Sequence, residues 1–286
     1  MIGLVGCGAM GGGMTQRLLE RGHRVLCHDA LPEARARVAS YGADVAETLG
    51  EIAGRCDVIL LSLPRAEAVR TVMSALQPAL PAGTIVVDTS TSEPETTRAL
   101  AQTAADLGFT FLDGPVSGGP HGARQGSMTM VLGGEAGAIE RIRPILEDLS
   151  GKIVHVGPAG SGHAAKIANN LLCAANLVLV SEMARLAERT GVSLDCLLAG
   201  VNAGSGRSGV SEVNFPRWIL SETFDSGFTM GLMRKDVALA AGLADRVGLD
   251  LPATTAIADV WENSREMLPD SADFNEIYKY GSLVNV

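Results

Sequence analysis

Aromatic residues are scarce: Phe, Trp and Tyr make up 4% of the chain, while hydrophobic residues of all kinds make up 47%. A core with so few rings must be aliphatic, which suits helices packed on a parallel sheet. Positive charge is also short, with 23 Lys and Arg against 32 acidic residues and a formal net charge of −9. That balance excludes the broad basic patch on which a nucleic-acid or anionic-membrane surface depends, so neither is an expected partner. An anionic ligand would have to be gripped locally, by backbone N–H groups or a few placed cations. The five cysteines, Cys7, Cys27, Cys56, Cys173 and Cys196, form no CxxC pair and no framework spacing. With no leader ahead of Met1, a reduced, cytoplasmic setting is expected. Long apolar runs are missing too. The longest, "LLCAANLVLV" at 171–180, is interrupted by Asn176 and followed by Glu182, and reads as a buried helix too short to span a bilayer.

What is present is alternation. "IGLV", "RVLCH", "DVILLSLP", "TIVVDTST", "FTFLD", "SMTMVLGG" and "KIVHVG" are strand candidates, separated by helical patterns at 14–21, 66–77, 93–107 and 135–149. Strand–helix alternation implies a doubly wound (Rossmann) α/β parallel sheet. The pattern then changes. From Ser161 to about Arg189 there is one long helical stretch, and the remainder is largely helical, with breaks at "NAGSGRSG", "DSGF" and "LPDSAD". At 286 residues two domains are expected, and "GPAGSG" at 157–162 supplies the joint. The reading is a dinucleotide-binding domain over 1–160 and an all-helical substrate and oligomerisation domain over 161–286, joined by a long interdomain helix.

The glycines directly after the first strand carry the first functional signal. Gly6, Gly8 and Gly11 form GxGxxG, with Ala9 and Met10 between the last two, ahead of the helical "MTQRLLERG". Gly6 permits a tight turn, Gly8 lets a pyrophosphate approach the backbone, and Gly11 allows close helix–strand contact. The phosphates would sit at the positive end of the helix. The strand "RVLCH" leads to Asp29, eighteen residues after Gly11, where an acid hydrogen-bonds an adenosine ribose. A carboxylate would repel a 2′-phosphate at about 4 Å, and Ala30 stands where an NADP enzyme often has a clamping arginine. These features favour NAD over NADP, although Arg35 and Arg37 keep the question open.

Three further motifs follow in order: "DGPVSGGPHGARQGSMTMVLGG" at 113–134, "GSGHAAKIANN" at 160–170 and "GFTMGLMRKDVALA" at 227–240. With the glycine loop, they make the chain resemble the β-hydroxyacid dehydrogenase family over nearly its whole length. That family includes the 3-hydroxyisobutyrate dehydrogenases and tartronate semialdehyde reductases. From spacing alone, Ser117, Gly118 and Gly119 read equally as an ordinary turn or as an anion nest. The resemblance implies a site for the substrate carboxylate. Gly114 stands where the family usually has alanine, and His121 reads as an exposed loop histidine.

Lys166 and Asn170 lie four residues apart and share a helix face. A lysine in the mostly apolar "HAAKIANNLLCAANLVLV" is costly to bury without a task, yet by sequence alone a helix-surface lysine is the commoner case. The resemblance implies that Lys166 is the general acid/base, its pKa lowered by desolvation and the oxidised nicotinamide. Asn170 then holds the substrate hydroxyl or the lysine, with Asn169 behind it. The resemblance also implies cofactor contacts at Leu63, Pro64 and Thr91, and at Lys235, with Asp236 capping or pairing nearby.

The expected chemistry is hydride transfer between NAD and a small 3-hydroxy acid or its semialdehyde or 3-oxo acid, in a homodimer or homotetramer. No histidine–carboxylate pair and no metal-ligand cluster stands out as a rival. Two other readings stay open: a non-catalytic dinucleotide-binding protein, and an NADP-dependent semialdehyde or imine reductase of the same fold. Arg207, Phe215, Trp218 and Phe228 are candidates for substrate specificity.

Overall fold

In the computed structural model, which describes residues 1–284, the first half of the chain builds one sheet of nine strands. They are β1 (Ile2–Val5), β2 (Val25–His28), β3 (Asp44–Val45), β4 (Val58–Leu61), β5 (Ile85–Asp88), β6 (Thr110–Asp113), β7 (Val116–Ser117), β8 (Met128–Gly133) and β9 (Ser150–Gly157). Between them run α1 (Ala9–Glu20), α2 (Pro32–Ser40), α3 (Leu49–Arg55), α4 (Ala66–Leu76), α5 (Pro94–Leu107), α6 (Gly119–Gln125) and α7 (Ala136–Leu149). The sheet order is β3-β2-β1-β4-β5-β6-β8-β7, with β9 on β8. Every pairing from β3 to β6 is parallel. Side chains alternate between the two faces, so each face feeds its own core. Leu4, Leu60, Val87 and Leu112 pack with residues of α1 and α7. Val5, Ile59, Leu61, Val86 and Phe111 pack with residues of α3, α4 and α5. Helices on both faces make the sheet doubly wound, as expected.

The second half of the sheet departs from pure parallel pairing. β8 runs antiparallel to β6 and β7 and pairs parallel with β9. The link from β7 to β8 carries only the seven-residue α6, shorter than the dozen or so residues a parallel crossover needs. The helix after the glycine loop also differs from expectation. It starts at Ala9 rather than Met14 and takes in Gly11, Gly12 and Gly13. Glycine lowers helix propensity by about 1 kcal/mol each, but packing overrides it. A Cβ at Gly13 would lie 3.0 Å from Ala123 Cβ and 3.2 Å from the Pro120 carbonyl oxygen, so the missing side chain at Gly13 lets α1 sit against α6.

The chain divides into two compact units, Met1–Lys166 and Ile167–Val286. The last two residues lie outside the described ones. Helix α8 (Ser161–Arg189) begins in the first unit and continues into the second. The second unit adds α9 (Leu194–Ala203), a π-wound segment over Val210–Ile219, then α10 (Met230–Arg246), α11 (Pro252–Asn263) and α12 (Ile277–Val284). Its core gathers Leu177, Phe215, Met233, Trp261 and Phe274. Helix α8 is long and apolar enough to cross a membrane, as many buried core helices are. The apolar run 171–180 is buried on one side only: Ala174, Leu177 and Val178 are inside, while Leu172 and Leu179 are 63% and 51% exposed. A single helix cannot bury its whole circumference against one core.

Candidate active site

The glycine loop sits at the carboxyl end of β1, at the head of α1. Gly6 has φ +93°, and a Cβ there would lie 2.2 Å from the Ser62 carbonyl oxygen. A Cβ at Gly11 would lie 1.8 Å from the carbonyl oxygen of Gly6, so helix and strand close on each other at that point. Gly8 caps the helix in extended backbone, and a Cβ there would meet nothing within 4 Å. The helix's first hydrogen bond runs from the Gly12 N–H to the Gly8 carbonyl. The N–H groups of Ala9, Met10 and Gly11 precede it, as the donors of a helix N-terminus do. Donors and room together fit the pyrophosphate of a dinucleotide. Cys7 is buried, and its hydrogen bond with Cys27, aided by burial, pushes its thiol pKa far up.

Asp29 follows β2. One of its carboxylate oxygens accepts the Cys7 N–H at 2.6 Å and the other the Leu31 N–H at 2.9 Å, which ties the acid to the glycine loop. Arg35 donates to the Asp29 carbonyl at 2.7 Å, and Arg37 to the Cys7 carbonyl at 2.5 Å. Leu63 lies just past β4, and its N–H donates to Ser90 Oγ at 3.0 Å. Pro64 is exposed, and Thr91 lies half-buried just past β5.

Lys166 is buried, at 8% exposure, and its Nζ donates to Ser117 Oγ at 2.7 Å. The structure thus brings together two motifs that are 49 residues apart in sequence. Gly118 and Gly119, at φ +123° and +62°, turn the chain from Ser117 into α6. His121 is exposed on α6. One helical turn beyond Lys166, Asn170 is buried; its Nδ2 donates to Asp236 Oδ2 at 2.5 Å, and its Oδ1 accepts from the Asn169 amide at 3.1 Å. Lys235 Nζ lies 3.1 Å from the other Asp236 oxygen. Asp236 is therefore a buried carboxylate that pairs with both Lys235 and Asn170.

Sequence reasoning missed a second layer in the first unit. Asp113, fully buried, accepts the N–H groups of Gly160 and His163 at 2.8 Å each and so holds the first turn of α8. His163, also fully buried, lies 3.8 Å from the Asp88 carboxylate, and His23 lies 2.7 Å from Asp148. Each pair joins residues too far apart in sequence to show by spacing. Of the specificity candidates, Phe215 is a core residue stacked edge-on to Tyr278, Phe228 packs edge-on against Phe274, and Arg207 is exposed.

The fold and the loop define a dinucleotide-binding protein. Residues 1–157 match the family model for the NAD binding domain of 6-phosphogluconate dehydrogenase. Residues 160–281 match the model for the NAD-binding domain of NADP-dependent 3-hydroxyisobutyrate dehydrogenase. The chain is 35% identical over 281 residues to the 2-(hydroxymethyl)glutarate dehydrogenase of Eubacterium barkeri, covering 97% of this chain and 93% of that protein. It is 32% identical to the 2-hydroxy-3-oxopropionate reductase of Escherichia coli K12, covering 91% and 89%. A solved Mycobacterium tuberculosis 3-hydroxyisobutyrate dehydrogenase, with L-serine, superposes at a TM-score of 0.94 with 30% identity, covering 100% of this chain and 99% of that one. The chain belongs to the β-hydroxyacid dehydrogenase family, whose members are NAD(P)-dependent oxidoreductases.

Proposed function

We propose that this chain reversibly oxidises a small 3-hydroxy acid to its semialdehyde or 3-oxo acid, with NAD preferred over NADP and Lys166 as the acid–base group. The carrying observation is the buried Lys166 amine, 2.7 Å from Ser117 Oγ. The dinucleotide, when bound along the glycine loop, supplies the hydride acceptor. Gly6, Gly8, Ala9, Met10 and Gly11 hold its pyrophosphate, Asp29 its adenosine ribose, and Leu63, Pro64, Thr91 and Lys235 its nicotinamide half. Ser117 Oγ accepts from Lys166, which leaves its own proton to donate to the substrate carboxylate, alongside the N–H groups of Gly118 and Gly119. Lys166 takes the substrate hydroxyl proton on oxidation and returns it on reduction. Asn170, its amide steadied by Asp236 and Asn169, orients that hydroxyl.

Two observations support the cofactor preference. The Asp29 carboxylate would repel a 2′-phosphate, and Arg35 and Arg37 are engaged with main-chain oxygens. The acidic net charge supports the absence of a nucleic-acid or anionic-membrane partner; the cytoplasm and a homodimer or homotetramer belong to the same proposal.

The test is Lys166→Ala, assayed against 3-hydroxyisobutyrate, L-serine, glycerate, threonate and 3-hydroxypropionate with either cofactor. Dinucleotide affinity should match the parent, while kcat should fall about 100- to 10,000-fold. A variant that turns over normally sinks the role of Lys166. Tighter binding of NADP than NAD by the parent overturns the cofactor preference.

A further inference from the structure

We infer that His163 is a positioning residue, and that its imidazole sets Lys166 at its working distance from the segments that line the cofactor. The inference rests on the acid–base role proposed for Lys166. His163 has no exposed surface and stands three residues before Lys166, on the same side of α8. Its ring is held at both nitrogens. Nε2 lies 3.0 Å from the Ser90 carbonyl, which can only accept, so Nε2 carries the proton. Nδ1 then accepts from the Thr97 hydroxyl at 2.7 Å. Asp88 lies 3.8 Å from Nε2, beyond hydrogen-bond distance, and its oxygens accept instead from the Ser90 N–H at 3.0 Å and the Ser92 hydroxyl at 3.4 Å. The main-chain N–H of His163 is bound to Asp113.

Ser90 makes this arrangement more than a satisfied core histidine. Its carbonyl takes the imidazole proton, its hydroxyl takes the Leu63 N–H, and its N–H is bound to Asp88. One residue thus joins the outlets of β4 and β5, where Leu63, Pro64 and Thr91 are proposed to meet the cofactor, to the first turn of α8. The imidazole is the side-chain bridge between them. One turn on, the same helix presents Lys166 to Ser117. Both ends of the proposed proton and hydride path are therefore referenced to one ring. Displacement of reacting groups by about 1 Å can cost about 100-fold in rate.

The test compares His163→Leu, which fills the space without either hydrogen bond, with His163→Gln, whose amide can donate to Ser90 and accept from Thr97. His163→Leu should fold, bind NAD with a dissociation constant within about twofold of the parent, and lose about 10- to 100-fold in kcat. The limb of its kcat–pH profile assigned to Lys166 should also move. His163→Gln should restore most of both. Parent-like kcat in His163→Leu overturns the proposal. So does equal impairment of the two variants, or a loss that appears wholly as weakened NAD binding. If His163→Leu does not fold, Thr97→Val is read in its place; it should lower kcat several-fold at unchanged NAD affinity, and parent-like kcat would overturn the proposal. Lys166→Ala separates this failure from failure of the underlying reading. An inactive Lys166→Ala beside a fully active His163→Leu sinks only the role of His163, whereas an active Lys166→Ala removes the reading beneath it.

Discussion

A methyl group at position 11 would sit 1.8 Å from the Gly6 carbonyl oxygen, whereas one at position 8 would meet nothing within 4 Å. The two glycines therefore fail differently. Gly11→Ala should lower the melting temperature and abolish dinucleotide binding together, because strand and helix can no longer close. Gly8→Ala should melt like the parent yet bind NAD at least about tenfold more weakly, since its methyl intrudes only where the pyrophosphate comes close to the backbone. Calorimetry and a binding titration on both variants separate fold from site, and a Gly8→Ala that binds like the parent would remove the pyrophosphate from that position. These roles were legible because they are local: turn, cap and crossing all fall within six residues of sequence, Gly6 to Gly11. Lys166 was half legible. Its apolar surroundings marked it as costly to bury, but only the structure shows Ser117 as the group that receives its amine. His163 and Asp113 were not legible, because their partners lie 47 to 73 residues away.

Among the elements, α1 and α7 are tied at their ends by one carboxylate. Asp148 accepts from Arg21 at 2.6 Å and pairs with His23 at 2.7 Å, while its carbonyl takes Arg17 at 2.9 Å. The His23 hydrogen bond, with help from Arg21 and against the effect of burial, holds the Asp148 carboxyl below its ordinary value of 3.8. A carboxyl depressed in the folded state stabilises the fold above its unfolded pKa, and that contribution is lost as pH falls through the folded one. Asp148→Asn should therefore melt below the parent near neutral pH, with the gap shrinking below about pH 4. A gap that stays constant across that range would show that packing, not charge, supplies the effect. The strands and helices with strong periodicity were readable in advance. β3 and β7, two residues each, are too short to show alternation. The antiparallel turn of β8 was hidden as well, since pairing direction depends on how far α6 carries the chain and not on the residues of β8.

For the molecule as a whole, α8 carries an apolar stripe that this chain leaves exposed. Leu172, Leu179, Met183 and Leu186 are exposed and recur at helical spacing along one side of it. If this stripe is the seam of the proposed homo-oligomer, Leu179→Glu with Leu186→Glu should sediment as a smaller species than the parent while the helical circular dichroism is kept; identical sedimentation would place the interface elsewhere. The order of the longer strands and the helices with strong periodicity, the glycine loop and the acid after β2 were determined by the sequence alone, because each depends on neighbours a few residues away. Only the tertiary structure decided the mixed pairing of the sheet, the half-open face of α8, and the bonds that bring Lys166 to Ser117 and His163 to Ser90 and Thr97. Those contacts close loops of dozens of residues, and nothing in local spacing records where a chain returns to meet itself.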